Sequence, residues 1–175
     1  MAAAGHDERV VLLGMMGAGK TRTGSALAAR LGWAFHDSDE EVEARTGATG
    51  ADIAAEQGVA ALHELEARIL LDALEAEGPM VVSAAASVID DHRCRAAMAS
   101  AALVVWLDAP MDVLARRVPS GPHRRTQTPQ AASASLAARE RRFATIADLR
   151  LDATAPTDEL VVRIADELTP ADPAT

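Results

Sequence analysis

The sequence of 175 residues has no tyrosine, two tryptophans and two phenylalanines. Trp33, Phe35, Trp106 and Phe143 are the whole aromatic complement, so the core must be built from aliphatic side chains. Much of the 49% hydrophobic content is alanine, which favours helix more than it fills volume. Cys94 is the only cysteine, which excludes an internal disulfide; a small helix residue is a plainer reading of it than a nucleophile. No apolar run approaches the length of a membrane span. The opening M-A-A-A-G-H-D-E-R lacks the basic start and apolar stretch of a signal peptide. Positive charge is scarce too: 17 Lys and Arg against 26 Asp and Glu leave a net charge of −9. That argues against a broad nucleic-acid or anionic-membrane surface, since both reward a basic face. The expectation is a soluble, cytoplasmic monomer without nucleic-acid or membrane partners. A small basic pocket is still open to it, because the arginines cluster.

The length fits one domain with a proper core, at residues 9–168. Val10–Leu13, Trp33–His36, Met80–Val82, Leu103–Leu107 and Leu149–Asp152 read as strands. Helices fit Lys20–Leu31, Asp39–Arg45, Ala51–Gln57, Val59–Glu77, Asp91–Ser100, Met111–Val118, Ser135–Ala147 and Thr157–Leu168. Gly32, Gly47, Gly58 and Gly78 supply stops. In the longest helix, Val59, Leu62, Leu65, Ile69, Ala73 and Leu74 form an apolar stripe at helical spacing. Pro119–Gln130 is a polar loop, and the tail after Leu168 reads as frayed. Strands alternating with helices imply an α/β fold: a parallel sheet of about five strands, covered on both faces. Ligands of such sheets bind beyond the carboxyl ends of the strands. Those ends carry Gly14, Asp37, Ser83 and Asp108, so the site is expected there.

Gly14 to Thr21 reads G-M-M-G-A-G-K-T, a full match to the phosphate-loop pattern G-x-x-x-x-G-K-[ST]. It lies between a strand and a helix, where the mechanism requires it. A glycine-rich turn with an incidental lysine would not need that context. Backbone N–H groups of Gly14, Met16, Gly17, Ala18 and Gly19 can wrap phosphate oxygens, with Lys20 reaching the β- and γ-phosphates. The Thr21 hydroxyl can ligate Mg²⁺, and Arg22 follows in the first helical turn. Nucleotide binding alone leaves several classes: a small-molecule kinase, a nucleotide kinase, a GTPase-type switch or a motor fragment. The length disfavours motors, and no N-K-x-D-like guanine reader is present. A compact kinase using ATP and Mg²⁺ fits best.

His36 to Asp39 reads H-D-S-D at the end of the second strand. Two carboxylates two residues apart can divide labour, one at the metal and one at an acceptor hydroxyl. Alone, they read equally well as helix-capping aspartates. Together, G-M-M-G-A-G-K-T-R-T-G and F-H-D-S-D-E-E-V-E-A-R-T-G resemble the opening of shikimate kinases. The likeness in order and spacing runs from about Val10 to Leu168, most closely over the first forty-five or so residues. It implies a three-layer P-loop NTPase fold of the nucleoside-monophosphate-kinase type and transfer of the ATP γ-phosphoryl group to a hydroxyl. It implies acceptor-binding helices over 39–77 and a lid over 119–130. It further implies Lys20 and Thr21 at phosphate and Mg²⁺, Asp37 near the metal, and Asp39 as acceptor ligand and candidate base. Arg124 falls at the lid arginine, although Arg125 replaces the proline usual after it. Arg139 matches an arginine for the substrate carboxylate, and Arg117 and Pro156 lie where the family sandwiches adenine.

The resemblance breaks in two places, both on the acceptor side. A glycine triplet in the family is Ala84, Ala85 and Ala86 here. Their β-carbons fill space that glycine leaves open and disfavour positive φ. S-A-A-A-S can instead start a helix with Ser83 as N-cap. In the long helix, the family's G-E-x-x-F-R-x-x-E is G-V-A-A-L-H-E-L-E, which puts His63 in the arginine's place and keeps Glu66. Histidine cannot make a guanidinium's planar fork, and losing that charged grip costs on the order of 2–3 kcal/mol. His63 reads alternatively as a surface residue beside the apolar stripe. The expected activity is phosphoryl transfer to a small hydroxylated compound, shikimate or another. A gluconate-type, sugar-acid or cyclitol kinase is the nearest alternative, and a non-catalytic nucleotide-binding regulator is one from another class.

Overall fold

The structure, a computed structural model, describes residues 8–117 and 129–168, with the backbone alone for 129–135. Five strands form one parallel sheet: β1 (Arg9–Leu13), β2 (Ala34–Asp37), β3 (Met80–Ser83), β4 (Leu103–Asp108) and β5 (Leu149–Asp152). Their spatial order is β2-β3-β1-β4-β5. The helices are α1 (Lys20–Leu31), α2 (Ser38–Thr46), α3 (Gly50–Gln57), α4 (Val59–Glu75), α5 (His92–Ala101), α6 (Met111–Arg117), α7 (Pro129–Ile146) and α8 (Thr157–Leu168). A short 3-10 helix spans Ala86–Asp90.

β1 is wholly buried, and its alternating side chains feed two cores. Val10 and Leu12 pack with Leu27 of α1, Leu114 of α6, and Leu160 and Ile164 of α8. Val11 and Leu13 face the other way, toward Leu70 and Leu74 of α4, Met98 of α5 and Phe143 of α7. As the composition requires, aliphatic contacts dominate; the aromatic pair of Trp106 and Phe143 sits with centroids 5.8 Å apart. Cys94 is buried in the second core, and burial pushes its thiol up to about 11. It is a packing residue with no reactive thiolate.

A third, smaller cluster joins Val42 of α2, Ile53 of α3 and Ile69 of α4, with Leu62 and Leu65 against it. It fixes the three helices that follow β2 as one unit beside the carboxyl edge of the sheet. Their ends are locally specified. Asp37 caps α2, Thr49 and Asp52 form a capping box on α3, and Gly47 closes α2 in the left-handed region.

Four details depart from the sequence reading. Val59 is 54% exposed, so the apolar stripe of α4 starts at Leu62; the first turn of α4 projects beyond the cluster. Ser83 is the last residue of β3 and no helix cap. It is paired in register with Leu12 and with Asp37, and strand pairing on both sides overrides its capping preference. The helix that follows is a 3-10 turn beginning at Ala86, with Ala85 at its N-cap position and no side-chain cap. Finally, α7 begins at Pro129, six residues before the expected Ser135, because proline suits the first turn of a helix.

Candidate active site

The carboxyl ends of β1, β2 and β3 open onto a cavity of about 410 Å³. The loop after β1 forms its floor. Gly14 is the tightest point of that loop: its φ is +148°, and a β-carbon there would lie 2.6 Å from the Leu107 carbonyl oxygen. Only glycine lets the loop leave β1 so close to β4. Gly19, at φ +87°, then turns the chain into α1.

Lys20 curls back over the loop and donates to the carbonyls of Gly14 at 2.9 Å and Met15 at 3.3 Å. Burial pushes its ammonium below the ordinary value, while Asp39, Asp37 and Glu66 pull it back up. Thr21 donates its hydroxyl to Asp37 Oδ2 at 2.6 Å, and Asp37 Oδ1 accepts from the Asp39 N–H at 3.0 Å. One buried carboxylate thus ties the phosphate loop to the start of α2. Asp39 lines the cavity and is exposed to solvent there. Desolvation pushes its carboxyl up, and the Asp37 charge adds to the shift.

Glu66 of α4 lines the opposite wall and is buried. It accepts a hydrogen bond from the Ser87 hydroxyl. Desolvation pushes its carboxyl up, partly offset by that hydrogen bond. Ala84, Ala85 and Ala86 line the same wall. Ala85, at the centre of the three, sits at φ −61° and ψ 145°, not in the left-handed region that glycine favours. Ala84 and Ala85 lead out of β3 and Ala86 opens the 3-10 helix, and three β-carbons occupy what a glycine loop would leave open.

A second cavity of about 550 Å³ lies across the loop, lined by Ala18, Gly19, Arg22, Arg117, Ala153 and Pro156 among others. Arg117 donates to the Ala153 carbonyl at 2.9 Å and to the Gly17 carbonyl at 3.5 Å. It bridges the phosphate loop to the turn before α8. Gly19, Arg22 and Arg117 line both cavities, so the two adjoin over the loop.

A family model described as shikimate kinase matches residues 16–169. The chain belongs to the shikimate kinase family. Shikimate kinases of Brucella canis and Caulobacter vibrioides are 38% and 39% identical over 109 residues, which is 62% of this chain and 54% of theirs. The chain thus spans about half the length of the curated relatives it matches. A solved shikimate kinase from Acinetobacter baumannii, in complex with shikimate, superposes with a TM-score of 0.83 at 25% identity, covering 92% of each chain. One from Aquifex aeolicus gives a TM-score of 0.78 at 28% identity, covering 91% of this chain and 95% of that one. The fold of this family member is accordingly the P-loop, nucleoside-monophosphate-kinase-like one, as the sequence implied.

The structure brings Met16, Gly17, Gly19, Lys20, Thr21, Arg22, Asp37, Asp39, Ala84, Ala85, Ala86 and Arg117 to the first cavity. Ala18 and Pro156 line the second, and Gly14 contributes its carbonyl to Lys20. Neither His63 nor Arg139 lines either cavity. Arg139 Nε donates to Asp90 Oδ2 at 3.0 Å, and Arg142 pairs with the other oxygen of Asp90. His63 lies partly buried near that pair; desolvation and the Arg139 charge hold its imidazole below the ordinary value. Arg124 lies outside the described residues, as do residues 119–128 of the expected lid. Asp108, at the end of β4, is bound to Arg150 at 2.5 Å and lines a separate cleft, so it leaves the expected site.

Sequence reasoning missed Ser87 and Asp90. Glu66 carried a usable signal: it stands one helical turn from both Leu62 and Leu70, a carboxylate on a buried face. The link between Asp90 and Arg139 spans 49 residues and leaves no local pattern.

Proposed function

We propose that this chain is an ATP-dependent small-molecule kinase, moving the γ-phosphoryl group to a hydroxyl of a small polyhydroxylated acceptor. The observation that carries this is the placement of Lys20 at the cavity floor, facing Asp37, Asp39 and Glu66. A nucleotide binder without turnover has no use for a second aspartate beside its phosphate lysine.

ATP would lie with its phosphates over Gly14–Thr21 and its base in the second cavity, beside Arg117 and Pro156. The residues present fit Mg²⁺. Thr21 and Asp37 offer oxygen donors only, and among the described residues no cluster of three or more His, Cys, Asp or Glu could hold a metal alone. A cation bound by one or two protein oxygens plus phosphates and water is the Mg²⁺ pattern. Bound there, Mg²⁺ supplies neutralising charge to the phosphate oxygens.

The chain's own side chains do the rest. Lys20 leaves its two carbonyl partners for the phosphate oxygens, which are stronger acceptors. Asp39 accepts a hydrogen bond from the acceptor hydroxyl and aligns its oxygen with the γ-phosphorus. Its raised proton affinity makes it a stronger base than an aspartate at the ordinary value. Arg124, by the resemblance, would balance charge on the transferred group.

The test is coupled ADP release with Mg·ATP and shikimate, run beside gluconate, cyclitols and sugar acids. Turnover on any of these that vanishes in Lys20→Met supports the proposal. ATP binding with no transfer to any of them counts against it and favours a regulator.

A further inference from the structure

The alanine wall leads into Ser87, a side chain turned to α4 rather than to the cavity. Ala86 opens the 3-10 helix, and Val88 and Ile89 of that helix are buried in the second core with Ala67 and Leu70 of α4. These contacts seat the short helix against α4. Ser87, among them, is buried as well. Its hydroxyl donates to Oε2 of Glu66, across 21 residues of chain. Glu66 is buried, yet it lines the cavity that holds Lys20 and Asp39. Its carboxylate therefore stands where the apolar core meets the acceptor space. A glutamate there has two needs. Its flexible side chain must be fixed before it can receive an acceptor group without a large entropic loss. Its desolvated charge must find a donor. Ser87 meets both, as the one hydrogen-bond donor to Glu66 among the described residues. Lys20 and Arg139 act on Glu66 through charge. His63, three residues earlier on α4, is held below its ordinary value by desolvation and the Arg139 charge, so it brings no cation at neutral pH.

We propose that Ser87 is a positioning residue for phosphoryl transfer: its hydroxyl, seated by the 3-10 helix, holds the Glu66 carboxylate in place beside the acceptor. This rests on the kinase reading above and deepens it, by naming a residue that shapes the acceptor half of the site. Ser87 is not part of the cavity lining, so it acts through Glu66. The two carboxylates then divide the acceptor between them. Asp39 aligns the hydroxyl that reacts, and Glu66 receives a second polar group of the same molecule. The Ser87 bond engages Oε2 and leaves Oε1 for that group. Hydroxyls donate well to an ionised carboxylate whose position is already set.

The experiment is initial-rate ADP release by Ser87→Ala, at varied ATP and at varied concentrations of whichever panel compound the wild-type chain phosphorylates. KM for the acceptor should rise about tenfold, the size of one charge-assisted hydrogen bond, while kcat and KM for ATP stay within about threefold. Ser87→Thr keeps the hydroxyl and should bring the acceptor KM back to within about threefold of wild type. Thermal unfolding checks that both variants fold. The Glu66→Gln background separates positioning from packing, and does so even where the extra methyl group of Ser87→Thr is not accommodated. A side chain that acts through the Glu66 charge should lose most of its effect there. Adding Ser87→Ala to Glu66→Gln should therefore change the acceptor KM by about twofold or less. The inference is overturned, with the kinase reading left standing, by an unchanged acceptor KM in Ser87→Ala. It is equally overturned by a loss shared among kcat and both KM values, or by an effect of the same size in Glu66→Gln. Absence of transfer by the wild-type chain to every compound overturns the kinase reading, and this inference with it.

Discussion

Changing Asp37 to asparagine removes one charge while leaving its two hydrogen-bonding positions filled. The amide oxygen can still accept from the Asp39 N–H, and the amide nitrogen can donate to Thr21, whose hydroxyl then accepts. Stability should therefore fall by about 1 kcal/mol or less, a melting shift of about 2–4 °C at this chain length. Alanine at the same place loses the α2 cap, worth about 1 kcal/mol, and the Thr21 bond, worth about 1.5–3 kcal/mol. It should melt roughly 5–15 °C lower. The functional effects differ in kind. Loss of the carboxylate should weaken use of Mg·ATP by about 10- to 100-fold, because Thr21 alone would then anchor the metal side. The Asp37 charge also raises the proton affinity of Asp39. Removing it should move the acid limb of the kcat/KM profile to lower pH, since a carboxyl freed of a like charge ionises more readily. The assay is ADP release from pH 4.5 to 9, with Mg²⁺ titrated at each point. An acid limb that stays put or moves upward in Asp37→Asn would refute the coupling, and unchanged Mg²⁺ dependence would refute the metal role.

Other consequences follow from single contacts. Arg117→Ala removes the bridge from Gly17 to Ala153 and should raise KM for ATP by about tenfold with a smaller effect on kcat, as initial rates at varied ATP will show. Gly14→Ala forces a β-carbon to 2.6 Å from the Leu107 carbonyl at an unfavourable φ, and should cost at least about 2 kcal/mol in urea unfolding. Glu66→Gln should raise the melting temperature above neutral pH. The carboxyl's proton affinity is higher in the folded chain, so its ionised form opposes folding at high pH; the gain should shrink as pH falls through the raised value, which a melting series across pH reads directly.

The features legible in the sequence are those governed by short-range chemistry. The phosphate loop announces itself because phosphate contact, tight turning and helix initiation all demand fixed residues within eight positions. Asp37 and Asp39 were legible for the same reason, and Gly32 and Gly47 placed helix ends where the left-handed region closes them. The α2 and α3 caps are local too. Ser83 shows the limit: its capping preference is local, but Leu12 and Asp37 hold it in the sheet from 71 and 46 residues away, 83 − 12 and 83 − 37. The start of α7 was missed because A-A-S-A-S presents no stripe for periodicity to catch. The acceptor wall was least legible. The resemblance put His63 and Arg139 at the acceptor, yet only the fold reveals that Asp90 holds Arg139 and that Ser87 meets Glu66.

Phosphoryl transfer to a hydroxyl at the Lys20–Asp39 cavity can be watched at the phosphorus atom itself. Phosphorus NMR of the chain incubated with Mg·ATP and the acceptor mixture follows the fate of the γ-phosphate atom by atom. A new phosphomonoester signal should grow with ADP in the wild-type chain and be absent in both Lys20→Met and Asp39→Asn. Inorganic phosphate alone, or a phosphomonoester formed equally well by Asp39→Asn, would contradict it.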